Sequence, residues 1–359
     1  MKTVKGMKKS LKQALCALTA LVFALSFAGC ASTPAPATAP QATAAATDAP
    51  QATEAAQPVA EKIKIAIVQP MEHTSLNEIR DTIVSELQSA GYDDSKAEII
   101  LKNANGDASL LPSIFNSLVA DDVDLLIPIA TPSAQAAAAA TTDIPIVFSA
   151  VSNPIDAGLV TSLDVTDKNI TGVSNAIAIE DIFGLAKELT PEAKTFGFIY
   201  NTGEINSVAG ITRAKAYCDA NGITYKEATI TTTADLQQAV ASIVGDVDAF
   251  FTPNDNTVAS AMQTYVQLAT EAGKPIYCGA DSMVRDGGFA TVGIDYVKLG
   301  KQTAEMAIRV LNGAAISDTP VEVVNEYARM INVKNAADLN IALSDEVKGT
   351  FKLFGEQEQ

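Results

Sequence analysis

The chain has 359 residues and carries 25 Lys and Arg against 42 Asp and Glu, which gives a formal net charge of −17 at neutral pH. A surface this acidic repels phosphate backbones, so the composition argues against a nucleic acid partner. The 4 cysteines are too few for a disulfide framework in a chain of this length.

The first 29 residues have the composition of a targeting segment. Lysines and no acids occupy residues 1–13, and an apolar run from 14 to 28 follows. That run is shorter than the roughly 20 apolar residues that a spanning helix needs. It ends in "FAGC", which resembles a bacterial lipoprotein signal. We therefore expect removal of residues 1–29 as a signal peptide and lipid, including palmitate, on Cys30. That lipid would hold the protein at the cell membrane, on the extracytoplasmic face. The alternatives are an ordinary secretory signal with a chance cysteine, or an uncleaved anchor.

Residues 30–60 are predicted to form a disordered tether. The stretch is rich in Ala, Pro, Thr and Gln and has no aromatic residue. It cannot build a core, and its prolines favour extended, solvated backbone. The folded part then begins near Glu61 and contains Cys218 and Cys278. We interpret these as two free buried thiols, with one bridge between them as the alternative.

From residue 63 onward, apolar runs rich in Val, Ile and Phe alternate with helical stretches. The predicted strands are 63–68, 97–101, 123–129, 144–148, 196–200, 223–229, 247–251, 275–278 and 289–292. The predicted helices are 76–90, 109–119, 133–140, 181–189, 206–221, 234–244, 256–272 and 296–312. Continuous apolar strands that alternate with helices indicate parallel sheets buried between helices. The predicted fold class is therefore α/β, with right-handed crossovers covering both faces of each sheet.

One unit of this pattern occurs twice. Residues 122–133 read "DVDLLIPIATPS" and residues 246–256 read "DVDAFFTPNDN", and each is followed by a helix and another short apolar run. The repetition predicts two similar lobes of ordinary domain size. Ligands of parallel sheets bind beyond the carboxyl ends of the strands, so the loops after the strands should face each other across a cleft.

The loops after the repeated strands differ in their polar residues. Thr131 and Ser133 open a predicted helix whose N–H groups and hydroxyls could hold a carboxylate. Asn254 and Asp255 occupy the equivalent place in the second half, and Asp281 should fall beside them, which suits an ammonium group. One loop for each charge favours a zwitterion such as an amino acid. The alternative for each loop is an ordinary helix cap without a ligand.

The sequence carries no catalytic motif that we can identify. It has no G-x-S-x-G elbow, no P-loop and no G-x-G-x-x-G after the first strand. His73 is the single histidine, and with no cysteine nearby it gives no zinc spacing. We therefore expect no enzyme activity, no metal and no cofactor.

Several stretches, in order, resemble the ABC-transporter substrate-binding lipoproteins assigned to tryptophan or tyrosine uptake. They are "EHTSLNEIRDT", "TPSAQAAAAATTDIPIVFSAVSNPIDAGLV", "NITGVSN", "FIYNTGEINSV", "FFTPNDNTVASAM" and "GIDYVKLGKQTAEMAIRVLNG", and the resemblance covers about residues 61–340. The family implies a periplasmic-binding-protein-like type I fold, in which a hinge joins two similar lobes, each a parallel sheet flanked by helices. It also implies a partner, a membrane permease powered by an ATPase, to which the protein delivers its ligand.

The resemblance also implies a set of ligand-binding residues in matching loops. They are His73, Thr131, Ser133, Ser149, Tyr200, Glu204, Ser207, Asn254, Asp255 and Asp281. The expected ligand is an aromatic amino acid. The alternatives are another small solute, such as a branched amino acid, a purine or a sugar, and a role as a tethered ligand sensor. The chain has no Trp, so stacking on an aromatic ligand would fall to Tyr200, Phe148, Tyr296 or His73.

The same alignment with the family places the hinge. Gly172 and Gly293 would supply backbone freedom at two of the crossings between lobes. Lobe one would comprise residues 61–172 and 294–316, and lobe two residues 173–293 and 317–354. The protein is expected to act as a monomer.

Overall fold

The computed structural model describes residues 61–165, 168–324 and 326–355. In this part of the chain the strands form two sheets. The predicted signal peptide, the lipid site at Cys30 and the tether of residues 30–60 lie outside the described residues. Among the helices that are described, none is both long enough and apolar enough to span a bilayer.

Strands and helices alternate along most of the chain, as the sequence predicts. The strands are β1 (Ile63–Gln69), β2 (Ala97–Asn103), β3 (Leu125–Pro128), β4 (Ile146–Ser149), β5 (Ile170–Ser174), β6 (Thr195–Asn201), β7 (Thr224–Ile230), β8 (Ala249–Thr252), β9 (Ile276–Cys278), β10 (Ala290–Gly293), β11 (Glu322–Val323), β12 (Ala328–Asn332) and β13 (Lys352–Phe354). The helices are α1 (Thr74–Ser89), α2 (Leu111–Ala120), α3 (Thr131–Ala140), α4 (Ile179–Leu189), α5 (Ile205–Asn221), α6 (Leu236–Ile243), α7 (Asn256–Ser260), α8 (Met262–Glu271), α9 (Asp281–Arg285), α10 (Tyr296–Leu311), α11 (Val333–Asp338) and α12 (Asp345–Thr350).

The two sheets are the centres of two lobes. The first has the order β11-β5-β4-β3-β1-β2 and is parallel throughout. The second has the order β13-β12-β10-β9-β8-β6-β7, and β12 runs antiparallel to β10. Strands β3, β4, β8 and β9 are buried along their whole length, which fits sheets covered by helices on both faces. The predicted α/β fold with two lobes is confirmed.

The aspartate that ends each "DVD" repeat has a structural use. The Asp124 carboxylate accepts the N–H of Lys64 at 2.7 Å, which ties the start of β3 to β1. In the second lobe the Asp248 carboxylate accepts the N–H groups of Lys194 and Thr195, each at 2.9 Å, which ties β8 to β6. The shared part of the repeat therefore aligns the same pair of strands in each lobe.

The chain passes between the lobes after β5, after β10 and after β11. Gly172 lies inside β5, and its φ is outside the left-handed region. A Cβ added there would lie 2.2 Å from the carbonyl oxygen of Phe148, so close packing requires this glycine. Gly293 is the last residue of β10. The third crossing comes after Val323, because β11 still pairs with β5 of the first sheet. The sequence-based boundary between residues 316 and 317 is therefore too early, because lobe one continues to Val323.

The two cysteines of the described part are separate. Cys218 and Cys278 are both free and buried, as predicted. Burial raises the pKa of each thiol, so both are protonated at neutral pH. They contribute to the packing of lobe two.

Candidate functional site: the cavity between the lobes

A cavity lies between the two lobes, where the carboxyl ends of both sets of strands meet. About 370 Å³ of space, open solvent included, lies between its wall atoms, and about 20 Å³ of it is accessible to the centre of a water molecule. Its wall comprises His73, Ser75, Leu76, Ala130, Thr131, Ala150, Ser152, Asn175, Asn206, Asn254, Asp255, Asn256, Ala259, Ala280, Met283 and Tyr296. Both lobes contribute, as expected of a cleft between facing loops.

The lobe-one wall is built on two strained strand ends. Ala130 follows β3 with φ 70°, and Ala150 follows β4 with φ 57°. Each left-handed alanine costs on the order of 1–3 kcal/mol, and such strain concentrates at functional sites. The turn at Ala130 starts α3 at Thr131, with Pro132 in its first turn. The first N–H groups of a helix have no partner inside the helix and attract anions.

A second feature marks the start of α3. The hydroxyl of Ser133 is buried, and no hydrogen-bond partner for it occurs among the described residues. A buried hydroxyl without a partner is costly. Thr131 of the same turn lines the cavity, so this side of the site offers donors.

The lobe-two wall is rich in acceptors. Asp255 is 1% exposed and caps α7, and its carboxylate accepts the N–H of Val258 at 2.8 Å and that of Asn201 at 2.6 Å. The amide nitrogen of Asn206 donates to the carbonyl of Asn254 at 2.7 Å, which fixes the other amide atom as oxygen. The side-chain oxygens of Asn206 and Asn254 are buried and accept no hydrogen bond within the described part of the chain.

Glu204 lies behind this wall and holds the first turn of α7. Its carboxylate accepts the N–H groups of Asn256 and Thr257, each at 3.0 Å. It also accepts the amide of Asn256 at 2.6 Å and the hydroxyl of Thr257 at 2.8 Å. Burial, and then the neighbouring Glu204 carboxylate, raise the pKa of Asp255 to about 7.

Asp255 and Glu204 are thus two adjoining buried carboxylates. Neither forms an ion pair with a basic side chain of the described residues. Buried charges in proteins are normally paired. A cationic group in the cavity would supply the missing positive charge.

His73 connects the lobes across the cavity. Its Nε2 lies 3.2 Å from the side-chain oxygen of Asn256. The amide nitrogen of Asn256 donates to Glu204, which leaves the amide oxygen facing His73. Because that oxygen can only accept, Nε2 must carry the proton in this contact. Burial lowers the pKa of His73 to about 4, so the ring is neutral at physiological pH. A neutral ring protonated on Nε2 leaves Nδ1 as an acceptor.

One part of the wall is apolar. Leu76 of α1, Met283 of α9 and the ring of Tyr296 are buried, and the small Ala259 and Ala280 complete the surface. The Tyr296 hydroxyl accepts the amide of Asn175 at 3.2 Å. This part of the cavity suits an apolar or aromatic group.

The structure brings four predicted ligand residues into the wall, namely His73, Thr131, Asn254 and Asp255. Three others support the wall from outside the cavity. Glu204 holds the first turn of α7, Ser207 hydrogen-bonds the Asp255 carboxylate, and Ser133 lies in the first turn of α3.

Two predicted ligand residues are engaged elsewhere. The Ser149 hydroxyl bonds the hydroxyl of Thr303 on α10 at 2.8 Å. The Tyr200 hydroxyl donates to Glu227 of the edge strand β7 at 2.9 Å. Side chains alternate between the faces of a strand, and both of these point into helix or strand contacts away from the cavity.

Asp281 also lies outside the cavity wall. It starts α9, and its carboxylate is 3.4 Å from the guanidinium of Arg285. Burial raises the pKa of Asp281 to about 6, although Arg285 opposes the shift. It therefore belongs to an ionic cluster at the edge of the cleft.

Sequence reasoning missed several polar residues of the wall as ligand contacts. They are Ser75, Ser152, Asn175, Asn206 and Asn256. Asn206 and Asn256 stand in stretches that the sequence singles out, beside Glu204 and Asp255. Their role as wall residues depends on the direction of α5 and α7, which the sequence pattern does not give.

The chain is similar to known proteins in both sequence and structure. Residues 64–351 match the family described as ABC transporter substrate binding protein. A tyrosine-binding protein of Clostridioides difficile is 38% identical over 287 residues, which are 79% of this chain and 83% of that protein. A solved structure from Streptococcus pneumonia, an ABC domain in complex with L-Trp, is 37% identical with a TM-score of 0.79, and the match covers 82% of this chain and 100% of that one. The ligand-free, open structure of a substrate-binding protein with adhesive properties from Clostridium difficile is 36% identical with a TM-score of 0.63, at the same coverage.

These two solved structures are nearly equal in identity and coverage, yet the chain superposes better on the one with a ligand. This agrees with a closed arrangement of the lobes, which the bond between His73 and Asn256 also indicates. The family match extends over most of the folded part and agrees with the predicted resemblance. The chain therefore belongs to the ABC transporter substrate-binding protein family.

Proposed function

We propose that this protein binds an aromatic amino acid in the cavity between its lobes and delivers it to the permease of an ABC importer. Relatives that cover most of the chain support this ligand class, since one is named a tyrosine-binding protein and another was solved with L-Trp. The cavity supports it independently through the charged and apolar residues of its wall.

One observation carries the proposal. The buried carboxylates of Asp255 and Glu204 have no basic partner among the described residues, and the first turn of α3 presents donors from the other lobe. An α-ammonium group on the acceptor wall and an α-carboxylate at α3 would satisfy both sides. A zwitterion bridging the lobes stabilises the closed form, because it gains contacts only when both walls are present.

The ligand's side chain would occupy the apolar wall. Leu76, Met283 and the ring of Tyr296 offer the contacts that an aromatic ring prefers. The Nδ1 acceptor of His73 can receive a phenol O–H or an indole N–H. Phenylalanine lacks such a donor and should bind more weakly than tyrosine or tryptophan.

A thermal-shift panel of the twenty amino acids, the purine bases and common sugars tests the proposal. It uses the purified protein, stripped of carried-over ligand by unfolding and refolding. A ligand present at 100 times its dissociation constant adds about 2.7 kcal/mol to the stability of the native state. We expect tyrosine and tryptophan to give the largest shifts. Stabilisation by a branched amino acid, a purine or a sugar alone would overturn the aromatic assignment.

We also propose that a lipid on Cys30 anchors the protein to the outer face of the cell membrane. The "FAGC" sequence after a lysine-rich start and a short apolar run supports this. Labelled palmitate fed to the producing bacterium should enter the protein, and Cys30→Ala should abolish the label and release the protein from membranes. Labelling that survives Cys30→Ala would contradict the anchor.

A further inference from the structure

A cluster of charged side chains joins the lobes beside the cavity. Glu78 of α1 in lobe one forms a bidentate pair with Arg285 of α9 in lobe two, and one of its two bonds is 2.6 Å long. The Asp281 carboxylate lies 3.4 Å from the same guanidinium. The side chains of Glu78 and Arg285 are 23% and 30% exposed, so this pair is largely withdrawn from water. Bidentate, charge-assisted pairs of this kind are among the stronger polar contacts in proteins.

Two further polar contacts extend the junction. The Thr74 hydroxyl donates to the Asp286 carboxylate at 3.0 Å. The hydroxyls of Ser75 and Ser282 are in hydrogen-bond contact. The first turns of α1 thus meet Ser282 and Arg285 of α9, and Asp286 just after it, through polar side chains.

The pair of Glu78 and Arg285 is separate from the surface that a ligand would touch. Neither Glu78 nor Arg285 belongs to the cavity wall, although Ser75 and Met283 on the same helices do. Within lobe two alone, Arg285 has Asp281 as its partner on the same helix. Closing the lobes adds the Glu78 carboxylate to this guanidinium, so the pair of Glu78 and Arg285 belongs to the closed form.

We infer that Glu78 and Arg285 are positioning residues, which set the affinity for ligand by stabilising the closed lobes without contacting the ligand. The inference rests on the proposed binding of a ligand between the lobes. The apparent dissociation constant equals the intrinsic one divided by the fraction of molecules in the binding-competent form. A contact that raises the closed fraction therefore increases the affinity for every ligand by the same factor.

Glu78→Gln tests this, because it keeps the shape of the side chain and removes its charge. We expect affinities for tyrosine, tryptophan and phenylalanine to fall together by roughly 5–30-fold, with their ratios unchanged. Glu86→Gln is the matched control, since Glu86 lies on the same helix and pairs with Lys301 inside lobe one. That variant should keep the affinities of the parent.

A second measurement needs no ligand and separates this inference from the proposed function. Spin labels at Lys102→Cys and Thr232→Cys, exposed positions on opposite lobes, report the distance between the lobes. Glu78→Gln should shift the unliganded distribution toward longer distances, and Glu86→Gln should not. Unchanged distances with unchanged affinities would overturn the inference, and so would a loss of affinity that differs between ligands. If no amino acid binds, the proposed function fails, but the distances still show whether Glu78 and Arg285 stabilise the closed lobes.

Discussion

Asp255→Asn is the substitution that bears most directly on how the cavity recognises its ligand. The side chain is 1% exposed and lines the cavity, and the change keeps its volume while it removes the charge. The new amide must face one of the two N–H groups, of Asn201 and Val258, that the carboxylate now accepts. Some loss of stability is therefore expected besides the loss of binding.

The size of the binding effect follows from the surroundings of Asp255. An ammonium group about 4 Å from a carboxylate, at an effective dielectric constant near 20, gains about 4 kcal/mol. Leaving one charge of a buried pair unmatched costs about 2–5 kcal/mol. This corresponds to a dissociation constant roughly 30 to 5,000 times larger.

Titration calorimetry with two ligands separates recognition from general damage to the loop. One ligand is L-tyrosine, and the other is 3-(4-hydroxyphenyl)propionate, which has the same ring and carboxylate but no amine. The variant should lose most of its affinity for tyrosine and little of its affinity for the amine-free analogue. Asp248→Asn is a matched control, because Asp248 also accepts two backbone N–H groups in lobe two but is exposed and remote from the cavity.

Equal losses for both ligands would refute the reasoning. Asp255 would then act only as the cap of α7 and as a tie between loops. An unchanged affinity for tyrosine would lead to the same conclusion more strongly.

Three further outcomes follow from the structure. Because the pKa of Asp255 is raised to about 7, and an ammonium group favours its ionised form, affinity for tyrosine should fall by up to about tenfold per pH unit below about 7, as calorimetry at several pH values would show. The pKa of Asp281 is raised from 3.8 to about 6 in the folded state, so its contribution to stability is present below about pH 4 and is lost as pH rises through about 6. Asp281→Asn does not have this loss. Between pH 4 and pH 7, its free energy of unfolding in urea should therefore rise by up to about 3 kcal/mol relative to that of the parent. Gly172→Ala places a Cβ 2.2 Å from the Phe148 carbonyl oxygen and should lower the free energy of unfolding by about 3 kcal/mol, whereas Gly184→Ala, with open space around its Cβ, should not lower it. The Asp281 account would be contradicted if the free energy of unfolding of Asp281→Asn changed with pH in the same way as that of the parent. An unchanged stability of Gly172→Ala would contradict the account of Gly172.

The fold could be predicted because it follows from local pattern. Buried parallel strands are continuous apolar runs, and the repeated "DVD" places Asp124 and Asp248 at equivalent strand starts in the two lobes. The carboxyl ends of parallel strands meet at one edge, so loops containing Thr131 and Asp255 could be expected in the same cleft. These inferences need only periodicity and topology.

The details of the site depend on where each side chain points and where short helices begin, which the sequence pattern does not show. Tyr200 and Asn201 are adjacent at the end of β6, yet Tyr200 bonds Glu227 on β7 while Asn201 bonds Asp255. The predicted helix over 256–272 is broken at Ala261 into α7 and α8, and α9 was not predicted at all. Asp281 therefore looked like a ligand residue, because its place in a short helix beside Arg285 could not be seen.

Backbone strain and contacts between the lobes could not be predicted from the sequence either. Ala130 and Ala150 adopt positive φ, which alanine does not signal as glycine would. The pair of Glu78 and Arg285 is separated by more than half of the folded chain and forms only where the lobes meet. Such pairs depend on the angle between the lobes, which composition and spacing leave undetermined.

The central claim is that the cavity holds one aromatic amino acid as a zwitterion. Titration calorimetry of the ligand-stripped protein at pH 7.5 tests it most directly, with L-tyrosine, L-tryptophan, L-leucine and the methyl ester of tyrosine as titrants. The account predicts saturable binding of one molecule of tyrosine or tryptophan per chain, with leucine and the ester weaker, because the ester lacks the carboxylate that α3 would hold. Tight binding of leucine with no heat from either aromatic amino acid would contradict it.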